Sequence, residues 1–179
     1  SDIHLKIVLS PKHGYGKGMN PCIDCHALMF REAGKIMESE NADFLFSGEV
    51  LDERPMSQNY RSLMKVSKES GYKDFIIRPL SAKLLPETLP EREGKVIRER
   101  LLDIRGRSRK RQIELAEYYN ITEYPQPAGG CLLTEPGYSQ KLKDLIKNSP
   151  EIDMKSVELL AIGRHFRLST GDKLIVGRD

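Results

Sequence analysis

Two short apolar runs, Asp43-Phe-Leu-Phe-Ser-Gly48 and Phe75-Ile-Ile-Arg-Pro-Leu80, restrict what this chain can fold into more than any other feature. Each has the length of a buried strand and carries a glycine or proline near its end. Between them, Gln58 to Ser70 reads as a helix carrying Leu63, Met64 and Val66. A strand, a helix and a second strand in that order predict a parallel pair with a crossover helix, and hence an α/β architecture.

The other patterns extend this plan. Asn20 before Pro21 is a cap followed by a proline at the first helical position, where its missing N–H costs nothing. The helix expected from there carries Ile23, Ala27, Phe30, Ala33 and Met37 at near-helical spacing, with Arg31, Glu32, Lys35 and Glu38 elsewhere on the wheel. Upstream, Asp2 to Ser10 fits a short helix or a strand until Pro11 stops it, and Lys12 to Asn20, with glycines at 14, 16 and 18, reads as a flexible loop. Further helices are expected over Val96 to Asp103, Ser108 to Tyr119 with Ser108 as its cap, and Ser139 to Ile146. His165 to Leu168 and Lys173 to Val176, joined by Ser-Thr-Gly-Asp, predict a β-hairpin. The expected division is an α/β domain over residues 1–150 and a small β-rich tail over 151–179.

Composition narrows the function classes. A chain of 179 residues suffices for one domain that buries roughly 70% of its unfolded surface. No apolar stretch approaches the about 18 residues of a bilayer span, so a membrane-inserted protein is not expected. Net charge is only +3, and any case for nucleic acid rests on where the cations cluster. Three cysteines cannot all pair within one chain, which suits a reducing, cytoplasmic setting and a metal, cluster or redox site.

Cys22-Ile-Asp-Cys25 falls at the start of the helix after Pro21, where free backbone N–H groups and the helix dipole favour thiolate over thiol. Two sulfurs three positions apart on a first turn share a face, and so can ligate one centre or close a disulfide. Cys131 follows Gly129-Gly130, a pair that lets the backbone approach closely. Several readings stay open: ordinary structural cysteines, a zinc site of Cys22, Cys25, Cys131 and His26 or His13, and a redox or iron–sulfur site. The string Cys22-Ile-Asp-Cys25-His26 also matches a c-type haem attachment pattern, a chemistry of exported proteins.

Four segments taken in order, Asn20-Pro-Cys-Ile-Asp-Cys25, Ser47-Gly-Glu-Val-Leu-Asp52, Arg78-Pro-Leu80 and Gly129-Gly-Cys131, resemble the tRNA-thiolating branch of the PP-loop superfamily, the N-type ATP pyrophosphatases. The resemblance runs from Asn20 to Thr134. It implies a Rossmann-like parallel sheet with crossover helices. The implied activity is that of an enzyme that adenylates a tRNA base at its carbonyl oxygen with ATP and Mg2+, releases pyrophosphate and replaces the oxygen with sulfur. By position, Cys22 and Cys131 correspond to the catalytic pair of the 2-thiouridine synthetases. Alternatively, Cys22, Cys25 and Cys131 correspond to the ligands of a [4Fe-4S] cluster in the iron–sulfur-dependent thiolases, and the presence of Cys25 favours this second assignment. Asp52 falls at the first of two acidic positions near nucleotide and substrate, with Glu53 at the second, and Gly48 and Glu49 belong to the same nucleotide-side segment. The implied partners are tRNA and a sulfur donor, either a protein or sulfide, and a homodimer stays open.

Two departures qualify the match. Glu49 stands where the family usually has histidine. The Ser-Gly-Gly-x-Asp-Ser loop that cradles pyrophosphate through its N–H groups is not among these residues, which raises the expectation of a fragment of a longer enzyme, inactive alone. The alternatives are a zinc-stabilised RNA-binding module without catalysis and a thiol–disulfide protein.

Five of the seven residues from Arg105 to Arg111 are basic: Arg105, Arg107, Arg109, Lys110 and Arg111. Such a cluster is the electrostatic footprint expected of an RNA contact. The competing expectation is a solvated face on which acidic neighbours, Asp103 among them, pair with these cations. Tyr118, Tyr119 and Tyr124 read as core or edge residues rather than base-stacking platforms.

Overall fold

The computed structural model describes residues 1–124 and 130–177. Gly129 of the Gly-Gly-Cys segment and the last two residues, Arg178 and Asp179, lie outside them. The fold mixes helix and strand. Two compact units divide the chain: Cys22–Pro127 forms one, and Ser1–Pro21 together with Ala128–Asp179 forms the other.

The unit from residue 22 holds the strand–helix–strand element. Helix α2 (Cys22–Ser39) leads to strand β1 (Leu45–Phe46), helix α3 (Tyr60–Ser70) and strand β2 (Ile76–Ile77), α1 being the N-terminal helix of the other unit. β1 and β2 pair in parallel, with Leu45 opposite Ile76 and Phe46 opposite Ile77. The expected runs were six residues each, yet only two residues of each form the ladder. One further bond, from Ser47 N–H to the Ile77 carbonyl at 3.0 Å, ends the pairing. Beyond it stand Gly48, which has little strand preference, and Pro79, which has no N–H to donate.

Local chemistry fixes α3. The Asn59 side chain accepts from Ser62 N–H at 3.0 Å, and Gly71 closes the helix in the left-handed conformation at φ 88°. Its inward residues Leu63 and Val66 are fully buried. Against it packs α2, whose buried positions are Ala27, Gly34 and Met37. Gly34 is required by space: a Cβ there would overlap the ring of Tyr72.

The helix expected over Val96 to Asp103 is not formed. Only the 3-10 turn Arg98–Arg100 is helical. The chain after it runs beside residues 79–83 instead, with Leu102 N–H bonding the Pro79 carbonyl (2.9 Å), Ile104 N–H the Leu80 carbonyl (2.7 Å) and Lys83 N–H the Leu102 carbonyl (3.0 Å). These long-range bonds and the complete burial of Ile104 override a local helical preference. Helix α4 (Leu89–Arg92) precedes this stretch, and helix α5 (Lys110–Tyr118) follows it. Ser108 sits two residues before α5, and Arg109, not Ser108, occupies its cap position.

In the other unit, α1 (Asp2–Leu9) resolves the ambiguous opening segment as a helix. Helix α6 (Pro136–Asn148) starts with a proline at its first position, and the short helix α7 (Met154–Glu158) is capped by Asp153 through Ser156 N–H. Val8, Met19, Leu142, Leu145 and Leu160 form the core of this unit. The hairpin is present, with β3 (Arg164–Arg167) antiparallel to β4 (Lys173–Val176). Among the described residues, no helix is long and apolar enough to cross a membrane.

Candidate functional site

The two strands end on polar residues. β1 runs into Ser47, Gly48 and Glu49, and β2 runs into Arg78. In a parallel α/β arrangement the carboxyl ends of the strands are where ligands are met. Here they are joined by an ion pair: Arg78 Nε donates to Glu49 Oε2 at 2.8 Å, and both side chains are almost fully buried. The other carboxylate oxygen, Glu49 Oε1, lies 2.9 Å from His26 Nδ1. Ser47 Oγ adds a hydrogen bond to Oε2 at 3.2 Å.

Burial alone would push the Glu49 carboxyl up. The hydrogen bond from His26 and the charge and hydrogen bond of Arg78 outweigh it and hold the group below the usual carboxylate range. An ionised carboxylate only accepts, so His26 carries its proton on Nδ1, and in the neutral ring Nε2 is the basic nitrogen. His26 is the residue after Cys25 and one helical turn after Cys22. The Cys-x-x-Cys turn of α2, the segment after β1 and the segment after β2 are thus tied together through one carboxylate.

Arg78 has further partners. Its Nη1 donates to Ser67 Oγ at 3.0 Å, and its guanidinium carbon lies 5.6 Å from the Phe30 ring centroid. Glu49, expected beside the nucleotide, is turned inward and holds α2, β1 and β2 in register. Gly48 is exposed, and a Cβ there would meet nothing within 4 Å, so packing does not require the glycine.

Asp52 is held differently. It is one of three described non-glycine residues at positive φ, at 63°, a conformation that aspartate tolerates better than most side chains. Its N–H bonds the Gln58 carbonyl at 2.8 Å, and its carboxylate accepts from Arg105 Nε at 2.6 Å. The neighbouring Leu51 is pinned by Ser81, whose buried hydroxyl accepts from Leu51 N–H (2.9 Å) and donates to the Ile104 carbonyl (2.7 Å). Asp52 therefore occupies a fixed, half-exposed position with its charge balanced by Arg105.

Cys22 and Cys25 are half-buried on the first turn of α2. Two thiolates on one turn suit two ligand positions of a zinc or iron centre. Cys131 is exposed and belongs to the other unit, where it precedes the 3-10 turn Leu132–Thr134 and its carbonyl accepts from Thr134 N–H and Oγ1. Its charge adds to the burial that raises the phenol of Tyr138. Among the described residues, no group of three or more His, Cys, Asp and Glu side chains is arranged to hold a metal ion.

The basic cluster is partly spoken for. Arg105 pairs with Asp52, Arg111 with Asp103 at 2.7 Å, and Lys110 lies 3.9 Å from Glu114 on the same helix. Arg107 is exposed, with no side-chain ion pair among the described residues. Tyr118 and Tyr119, expected at the core or an edge, are exposed and packed edge to face, with centroids 4.9 Å apart.

Sequence reasoning singled out Cys22, Cys25, Glu49 and Asp52 but missed the partnership of His26, Glu49 and Arg78. The signal was available: a charged residue within three positions of the end of each apolar stretch, Glu49 after Phe46 and Arg78 after Ile77, on strands expected to be parallel neighbours. No family model, curated protein or solved structure matches the chain.

Proposed function

We propose that this chain is the sulfur-handling part of an ATP-dependent tRNA thiolase of the PP-loop type, built on a Rossmann-like sheet and working in the cytosol. Cys22, Cys25 and Cys131 are its sulfur-handling thiols, and Asp52 is an acidic helper on the nucleotide side. In the overall reaction the base carbonyl oxygen attacks the α-phosphate of ATP and pyrophosphate leaves. Hydrosulfide then adds to the activated carbon through its sulfur, gives up its proton, and AMP departs with the oxygen.

The observation that supports this reading is the His26–Glu49–Arg78 chain of contacts. It joins two of the four segments on which the resemblance rests to His26, the residue directly after a third, at the carboxyl ends of two parallel strands. The Glu49 carboxylate holds the Nδ1 edge of His26, a residue adjacent in sequence to Cys25 and one turn from Cys22. Cys22, Cys25 and Cys131 would be the ligands of a four-iron cluster, whose remaining iron would be open to sulfide or substrate. Arg107 and the exposed Tyr118–Tyr119 pair offer a cation and aromatic faces for RNA.

Anaerobic reconstitution with ferrous iron and sulfide tests the assignment of the thiols. Wild-type protein is expected to retain both, and C22S, C25S and C131S are each expected to lose most of them. Retention of zinc alone, or iron binding indifferent to all three substitutions, contradicts it.

A further inference from the structure

A cavity of about 670 Å3 opens beside α3, walled by residues 73–78 and by the segment from Ala82 to Arg92. Its volume falls within the range of small-molecule sites, about 300–1,000 Å3. Met64, Ile76, Leu85 and Pro86 give it an apolar wall. Arg78 and Ser67, which hydrogen-bond each other, form part of its lining.

The charges around this cavity are nearly balanced in number, five cations to four carboxylates, but they are not all paired with one another. Of its acidic residues, Glu91 is engaged by Arg98 at 2.6 Å, Glu87 lies 3.8 Å from the same guanidinium, and Asp74 lies 4.0 Å from Arg92. Glu69 is the fourth. The cations Lys65, Lys68 and Lys73 also line it, and their side chains form no ion pair or hydrogen bond among the described residues. Arg78, only 3% exposed, keeps Nη2 buried with no hydrogen-bond partner. The Glu49 carboxylate already balances the charge of Arg78, and Nη2 remains as a buried donor that an anion would satisfy.

We infer that this cavity is a binding site for a small molecule with an apolar body and a terminal anionic group, phosphate or carboxylate. The apolar part lies on Met64, Leu85 and Pro86, and the anion lies between the lysines of α3 and the guanidinium of Arg78. The inference does not rest on the thiolation reading, and its failure would leave that reading untouched.

Titration of the 15N-labelled protein with phenyl phosphate, benzoate and inorganic phosphate, followed by amide chemical shifts, tests the site. Phenyl phosphate or benzoate is expected to shift amides of α3 and of residues 85–92, and the tighter of the two identifies the anion. Inorganic phosphate, which has no apolar body, should bind at least about tenfold more weakly. K65E/K68E, which alters two exposed side chains, and M64W, which fills the cavity, should each weaken binding by about tenfold or more. Absence of shifts with both aromatic probes overturns the inference, as do shifts confined to other regions or an affinity unchanged in both variants.

Discussion

Arg78 and Glu49, 29 residues apart in the chain, meet at 2.8 Å with almost no exposure to solvent. An ion pair so buried gives little net stability over an apolar replacement, but removing one partner strands the other charge. Glu49→Gln is expected to cost about 3–5 kcal/mol in urea unfolding. Glu49→Leu combined with Arg78→Met should recover much of that loss, and a double variant as unstable as the single one would refute the pairing.

The same carboxylate gives a pH dependence. Its pKa is lowered on folding, so between the two values the folded state binds fewer protons than the unfolded chain. Its contribution is complete above the unfolded glutamate value of about 4.3 and is lost as pH falls through the folded value. Wild-type stability should therefore drop with acid through that window more steeply than that of Glu49→Gln. Parallel curves for the two proteins would contradict the assignment.

Ser81 holds the segment that carries Asp52. Ser81→Ala leaves the Leu51 N–H and the Ile104 carbonyl without this partner, and a loss of about 1–3 kcal/mol is expected. Thermal unfolding measures it, and an unchanged midpoint would show that the hydroxyl is not needed to fix Leu51 and Asp52.

Gly34 separates propensity from packing. In an open helical position, replacing glycine with alanine stabilises by up to about 1 kcal/mol. Here the new methyl meets the Tyr72 ring, so Gly34→Ala should instead destabilise by about 1–3 kcal/mol. In a Tyr72→Ala background the same change should become neutral or favourable, and a double-mutant cycle reads the coupling.

How much of this was legible in the chain depends on the range of the forces involved. α2, α3 and α6 were readable because apolar spacing is local, although α2 begins at Cys22 rather than with Asn20 as its cap and Pro21 as its first residue, and the hairpin because its turn residues are local. The expected helix at Val96 to Asp103 failed because Leu102 and Ile104 bond to residues 79 and 80, a pairing that no local pattern announces. The strands were readable as apolar runs but not in length, since Pro79 and Gly48 limit the ladder. At the candidate site, Cys22 and Cys25 were visible as a motif, whereas the role of Glu49 depends on partners 23 and 29 residues away.

Exposed Arg107 and half-buried Arg109, which form no ion pair among the described residues, make the RNA question separable from the thiols. R107E/R109E is expected to weaken tRNA retention at low salt and to flatten its salt dependence, by about one phosphate contact for each cation lost. Arg105 and Arg111, which neutralise Asp52 and Asp103, should matter less per residue. Equal retention by wild type and R107E/R109E would remove this surface from the account.

The proposed role of Cys22, Cys25 and Cys131 is to put sulfur into tRNA. Mass spectrometry of tRNA nucleosides from cells in which the gene has been deleted tests it most directly. Loss of one nucleoside heavier than its parent by the difference between sulfur and oxygen is expected, restored by the wild-type gene and not by C22S, C25S or C131S. An unchanged set of thionucleosides, or full restoration by the cysteine variants, would contradict it.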